Sequence, residues 1–173
     1  MTSLDLRRVR LRSGEQHRDH YEIALEPLTF GGQRYIPVPS NADAELIISR
    51  ASTGTVFELR FVGRLHGPCQ RCLADAVVER PISAREYQAT NAEGDDELRT
   101  PYVVDDRLEL SAWARDALAL ALPDQILCRE DCAGLCPVCG ADLNVDPHEH
   151  EEETADPRWA ALAELRDRLS GPA

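Results

Sequence analysis

The stretch Cys128-Arg-Glu-Asp-Cys132-Ala-Gly-Leu-Cys136-Pro-Val-Cys139-Gly140 places four cysteines within twelve residues and ends in Cys-Pro-x-Cys-Gly. That ending has the form of a zinc knuckle. Two thiolates flank a tight turn, Pro137 presets φ, and Gly140 accepts the left-handed conformation that turns backbone N–H groups toward sulfur. Far upstream, Cys69-Gln-Arg-Cys72 is a second candidate knuckle. These two pairs, with Cys128 and Cys132, account for all six cysteines.

On the N-terminal side of this cluster the chain reads as β-rich. Leu4 to Leu11 is extended, a first strand or arm broken by Ser13-Gly14, and His20 to Leu25 is a short strand closed by Pro27. Gly31-Gly32 is a turn, and Pro37-Val38-Pro39 cannot lie centrally in a sheet. Ala44 to Arg50 is a strand, Ser52-Thr-Gly54 a hairpin turn, and Thr55 to Val62 alternates. Phe57, Leu59 and Phe61 mark the core face of that last strand; Val56, Glu58, Arg60 and Val62 take the other. Cys69 and Cys72 then sit at a hairpin tip before a strand running from Ala76 to Tyr87. Asn91 to Glu97 reads as a mobile acidic loop.

A helix follows over Ala112 to Leu122, with Ser111 as N-cap, Pro123 as stop, and Trp113, Ala117, Leu118 and Leu120 as its apolar stripe. Beyond the cysteines, Asp156 and Pro157 open a last helix with Trp159, Leu162, Leu165 and Leu169 on one side. The expected class is α+β: an antiparallel β-rich N-terminal body, one packed helix, a cysteine-rich zinc-knuckle segment and a C-terminal helix. At 173 residues and 43% hydrophobic composition this makes one domain. Its body and helix span residues 1–123, and its cysteine-rich appendix spans 124–173.

No run is long enough to span a membrane, and the N-terminus lacks the apolar core of a signal peptide, so the expected location is cytoplasmic. In that compartment clustered thiols point to metal or redox work rather than disulfides. The net charge is -12, and every one of the 19 basic residues is Arg. Such acidity argues against a nonspecific grip on nucleic acid. The charge is uneven, however. Arg7, Arg8, Arg10, Arg12 and Arg18 make a basic arm that suits RNA, and seven acids between Asp142 and Asp156 suit a basic protein.

Zinc in a structural site takes four N or S ligands. Cys69, Cys72, Cys128, Cys132, Cys136, Cys139, His148 and His150 supply eight, enough for one or two ions. One partition joins Cys69/Cys72 with Cys128/Cys132 and Cys136/Cys139 with His148/His150. A second joins the two Cys-x-x-Cys pairs, and a third uses Cys128, Cys132, Cys136 and Cys139 alone. Spacing leaves the three open. A thiol-disulfide oxidoreductase competes, but its Cys-x-x-Cys opens a helix in a βαβ unit, and neither pair has that context. The deaminase signature is matched only in pieces by His20-Tyr21-Glu22 and Pro68-Cys69-Gln-Arg-Cys72, with strands where that chemistry needs a compact helical layout. His17 and His66 read as surface or structural residues.

Several pieces together resemble one family. Gly67-Pro68-Cys69-Gln-Arg-Cys72-Leu73 is similar to its first motif. Leu118 to Pro123, followed by Cys128, Cys132 and Gly134-Leu135-Cys136-Pro137-Val-Cys139-Gly140-Ala-Asp-Leu143-Asn144, is similar to its second. Asp156-Pro157-Arg158-Trp159 resembles its closing helix. The chain is identified from about residue 40 onward as a member of the YceD family, the large ribosomal RNA subunit accumulation proteins. The resemblance implies a non-enzymatic factor for large-subunit ribosomal RNA accumulation and large-subunit biogenesis. Its partners would be that RNA, a basic large-subunit ribosomal protein, or both, with no small-molecule substrate. A generic zinc-stapled interaction module is the remaining alternative. One departure stands out: many relatives carry Cys-x-Cys where this chain has His148-Glu-His150, an exchange that zinc tolerates.

Overall fold

The structure is a computed structural model, and it describes residues 2–91, 98–150 and Leu162. The chain forms two compact units, residues 1–132 and 133–173.

The first unit is built on strands. β1 (Leu4–Asp5) leads through a 3-10 turn at Leu6–Arg8 to β2 (Gln16–Ala24), β3 (Leu28–Phe30), β4 (Gln33–Pro37) and β5 (Asn41–Arg50). The long pair β6 (Gly54–Pro68) and β7 (Asp75–Ala89) follows, then the short β8 (Val103–Val104) and β9 (Arg107–Leu108), and helix α1 (Leu110–Leu120). The main sheet is antiparallel in the order β2-β5-β6-β4-β3, with β7 also paired to β6. A second small sheet has the order β1-β9-β8. Among the described residues the architecture is therefore mostly antiparallel β with one α-helix, and no helix is long and apolar enough to cross a membrane. The C-terminal helix expected from Asp156 lies outside the described residues apart from Leu162, and the loop expected over Asn91 to Glu97 lies outside them apart from Asn91.

Strand β6 carries the organisation. Phe57, Leu59 and Phe61 are buried as their alternation predicts, while Arg60 and Val62 face solvent. The strand does not stop at Val62, as expected, but continues through Gly63 and Gly67 to Pro68. Both glycines face inward and act as close-approach positions rather than breaks. A Cβ at Gly63 would stand 2.5 Å from Leu118 Cδ1, so its absence lets α1 lie on the sheet. A Cβ at Gly67 would strike the Tyr35 ring, whose hydroxyl donates to the Pro68 carbonyl at 3.0 Å.

Helix α1 begins earlier than expected, after Glu109, and buries Leu110, Trp113, Ala114 and Leu118. Ser111 is not its N-cap. It lies inside the first turn, where its Oγ accepts the Thr2 N–H at 2.7 Å and its own N–H donates to the Thr2 carbonyl at 3.1 Å. Leu120 departs from the expected stripe as well. The inward direction is set by Leu110, Ala114 and Leu118, so Leu120 falls on the flank, 87% exposed, beside an open groove shared with Ala117 and Pro81.

The outer sheet face is covered differently. Arg18 and Arg60 both pair with Glu45, and Arg60 and Arg85 both pair with Glu58, across β2, β5, β6 and β7. Ile47 sits among these residues in the register, opposite Arg18 and Glu58, and is 3% exposed although it points away from the main core.

Candidate metal centres

The β6–β7 ladder runs unbroken to Pro68↔Asp75, so Cys69 and Cys72 are carried at the tip of a rigid two-stranded ribbon. The tip is closed by backbone: the Cys69 N–H donates to Ala74 O at 2.7 Å and the Leu73 N–H to Cys69 O at 3.0 Å. The Arg71 N–H points at Cys69 Sγ, 3.4 Å away. Leu73 holds φ +63°. In the second unit the same bonds recur. The Cys136 N–H donates to Ala141 O at 2.8 Å and the Gly140 N–H to Cys136 O at 2.9 Å, with Gly140 at φ +75°. The two Cys-x-x-Cys segments are thus one turn made twice. The sequence signal was available: Leu73 occupies the position after the second cysteine that Gly140 fills in its counterpart.

The residues between the first two cysteines hold the loop that brings the other pair. Gln70 exchanges two hydrogen bonds with Ile126, its N–H donating to Ile126 O at 2.9 Å and its Oε1 accepting from Ile126 N at 3.2 Å. The Arg71 guanidinium donates to Gln125 Oε1 at 3.1 Å and to the Cys132 carbonyl at 3.0 Å. Ile126 itself is sunk in the core at 3% exposure. Spacing alone does not reveal these roles of Gln70 and Arg71.

The outcome is two separate quartets. Cys69, Cys72, Cys128 and Cys132 form one, and Cys136, Cys139, His148 and His150 the other; within each, the ligand atoms lie within 4.8 Å of one another. Of the three partitions open to the sequence, the geometry assembles the first. His20 is in neither group. It stands on β2 against Asp43 at 3.2 Å, and His66 stands 3.8 Å from Asp75.

The donor sets fit a tetrahedral thiophilic ion. Two sulfurs bound to zinc at about 2.3 Å stand about 3.8 Å apart at a tetrahedral angle. Cys69 Sγ and Cys132 Sγ are 3.8 Å apart, and Cys72 Sγ and Cys128 Sγ 3.6 Å. All six cysteines are free of disulfides. In the second quartet Cys139 Sγ is 3.2 Å from His148 Nε2. His148 Nδ1 donates to the Asp146 carbonyl at 2.8 Å, which turns Nε2 toward the cysteines. The His148 and His150 rings meet edge to face at 4.9 Å. An Asx turn braces the far side: Asp142 Oδ1 accepts the Asn144 N–H at 2.9 Å, and Asn144 Oδ1 accepts the Ala133 N–H at 2.8 Å.

The electrostatics follow from the turn. Burial raises the Cys69 thiol, but the N–H groups of Cys72, Arg71 and Cys128 outweigh it and bring the pKa down to about 6. Cys136 is lowered to about 6, chiefly by the Cys139 N–H, with Val138 assisting against burial. Cys128 moves the other way, to about 12, because its thiol bonds to Cys72 and sits among further thiols. At Cys72 the Ala74 N–H lowers and burial raises, and with its neighbouring thiols the net shift is upward. His148 is raised to about 9 by its bond to the Asp146 carbonyl, then by Cys136 and Cys139. Without metal, each turn thus gathers negative charge on its first cysteine, and a bound cation must displace the remaining protons.

Comparison with known proteins supplies the context. A family model described as "Large ribosomal RNA subunit accumulation protein YceD" matches residues 57–166, more than half of the chain. The chain is 31% identical over 169 residues to an uncharacterized protein of Mycobacterium bovis, Mb2951c, covering 94% of this chain and 80% of that one. It is 32% identical over 129 residues to ML1660 of Mycobacterium leprae, covering 74% and 56%. It is 29% identical over 137 residues to YlbN of Bacillus subtilis, covering 77% and 76%. No solved structure matches.

Proposed function

Because this chain belongs to the YceD family, we propose that it is a cytoplasmic, non-enzymatic factor for accumulation and processing of large-subunit ribosomal RNA, acting in assembly of the large ribosomal subunit. Its two quartets are structural zinc sites in this reading, Cys69/Cys72/Cys128/Cys132 and Cys136/Cys139/His148/His150. Bound zinc would supply cross-linking of the hairpin tip to the loop before Cys132, and closure of the loop from Cys136 to His150. The observation that carries the zinc assignment is the pair of sulfur separations, 3.8 and 3.6 Å, near the tetrahedral edge and far from a disulfide. Four protein ligands in each quartet leave no open position for substrate, which favours a structural over a catalytic ion.

The acidity of the chain, net -12, favours a basic large-subunit ribosomal protein as one partner, and the arginine-rich arm favours the RNA itself as another. The thiol oxidoreductase reading loses support, since neither Cys-x-x-Cys opens a helix: one joins β6 to β7 and the other closes a turn. Sedimentation of ribosomes from a deletion strain tests the proposal. A deficit of free and assembled large subunits with precursor RNA is expected; unchanged subunit ratios and unchanged precursor levels would overturn it.

A further inference from the structure

The N-terminal arm is anchored rather than loose. Leu4 and Asp5 pair with Leu108 and Arg107, the Leu6 N–H donates to Asp106 O at 2.9 Å, and Leu4, Leu6, Val9 and Leu11 pack on the core. Its far end is tied to the end of β5, where the Gly14 N–H donates to Arg50 O at 2.7 Å and the Arg50 N–H to Glu15 O at 3.0 Å. The Glu15 carboxylate is engaged by the Arg12 backbone N–H at 2.7 Å. The apolar residues on the inner side leave Arg8, Arg10 and Arg12 exposed on the outer side.

The charge on this ridge is compensated only at its beginning. Arg7 is spent on Asp106 at 3.1 Å, and Arg8 reaches Asp5 only at 3.9 Å with its side chain 85% exposed. Arg10 and Arg12 make no ion pair or guanidinium hydrogen bond among the described residues. On the outer sheet face, by contrast, Arg18, Arg60 and Arg85 are each matched to Glu45 or Glu58. On a chain of net charge -12, exposed arginines at every second position of an ordered segment, two of them without an ion pair among the described residues, present an anion-binding ridge.

We propose that Arg8, Arg10 and Arg12 form a phosphate-contacting ridge that grips the backbone of RNA. Guanidinium forks suit phosphate oxygens, and arginines at every second position from the end of the 3-10 turn to Arg12 offer each phosphate a separate fork. A basic ribosomal protein is repelled from this ridge and suits the acidic residues instead. The inference deepens the ribosomal RNA role proposed above and rests on it.

The test is fluorescence anisotropy of a labelled, mixed-sequence single-stranded RNA with the full chain, from about 50 to 200 mM salt. Arg8→Gln/Arg10→Gln/Arg12→Gln lowers the slope of log affinity against log salt by about 2, since each single-strand phosphate contact contributes about 0.7. A charge-matched triple on the sheet, Arg34→Gln/Arg64→Gln/Arg85→Gln, keeps the slope within about one contact of the parent. Equal losses in the two triples, or no RNA binding by the parent at low salt, would overturn the ridge. Should the arm triple misfold, ultraviolet crosslinking of the parent decides: RNA adducts within residues 7–12 support the ridge, and adducts confined elsewhere overturn it. A deletion strain rescued in full by the arm triple would sink the ridge and leave the family role standing. A deletion strain with normal ribosomal RNA would strike the role itself.

Discussion

Cys69 Sγ lies 3.8 Å from Cys132 Sγ although 63 residues separate them. The ribbon tip and the loop before Cys132 converge only if both are held, and a bound ion is the strongest available hold. Purification without chelator is expected to give two zinc per chain by elemental analysis. Cys69→Ser removes one and weakens the first unit by about 4 kcal/mol or more, the range that marks loss of a metal site. Cys136→Ser removes the other and leaves the melting of the first unit within about 0.5 kcal/mol of the parent. Equal effects of the two variants on that melting would refute the independence of the quartets.

Arg71 acts on the first quartet without contributing a ligand. Its guanidinium holds Cys132 O at 3.0 Å and Gln125 Oε1 at 3.1 Å. Arg71→Ala should weaken zinc binding about 10- to 100-fold in chelator competition, the usual scale for partners that orient ligands. Arg71→Lys should recover little of it, because an ammonium cannot fork between two acceptors in that way. An unaltered zinc affinity in the alanine variant would remove Arg71 from the site.

Leu73 and Gly140 occupy the same left-handed position of the two turns, φ +63° and +75°. The leucine carries a steric cost there of about 1–2 kcal/mol that glycine does not. Leu73→Gly should therefore stabilise the first unit, by less than about 1 kcal/mol once the freer unfolded chain is counted. Gly140→Ala should weaken zinc retention in the second. Chemical denaturation of the first variant and chelator competition of the second check the two signs.

Gly63 is the contact point of α1. Gly63→Ala places a methyl against Leu118 and should cost about 1–3 kcal/mol by overpacking. Pairing it with Leu118→Ala should recover part of that loss, read as a coupling in a double-mutant cycle of urea midpoints.

Tyr102 stacks on Trp113 with centroids 6.0 Å apart and donates its hydroxyl to Asp116 at 3.2 Å. Burial, then the Asp116 charge and hydrogen bond, push its pKa from 10 up to about 12. A phenol whose pKa is raised by folding contributes stability that is whole below pH 10 and lost as pH rises through about 12. Tyr102→Phe should cost about 0.5–1.5 kcal/mol at neutral pH, and that difference should shrink across the alkaline window. A difference that stays constant with pH would contradict this account.

The sequence pattern located what repeats or alternates. Phe57, Leu59 and Phe61 declared the core face because a strand has period two, and the Cys-x-x-Cys pairs declared themselves by spacing. It failed where one feature serves two purposes. The alternation reads only as far as Val62, yet the strand runs on through Gly63 and Gly67, whose missing side chains are clearances for Leu118 and Tyr35. Ser111 read as an N-cap because serine favours caps, but its hydroxyl oxygen accepts the Thr2 N–H from the segment ahead of β1. Ile47 is buried on the face that alternation assigns to solvent, opposite Arg18 and Glu58 in the register. The choice among ligand partitions depended on the meeting of Gln70 with Ile126, a contact across 56 residues that no local pattern contains.

The two quartets also follow one another along the chain without interleaving, the first ending at Cys132 and the second starting at Cys136. During translation this order becomes a difference in waiting time. At about 5–20 residues per second, Cys72 waits roughly 3–11 s for Cys128 to be made, whereas Cys139 waits less than about 2 s for His148. The hairpin tip therefore emerges as an incomplete chelate, open to oxidants and to the wrong cation, for several times longer than the pair that follows it. The period of greatest chemical exposure for this protein falls before its synthesis is finished.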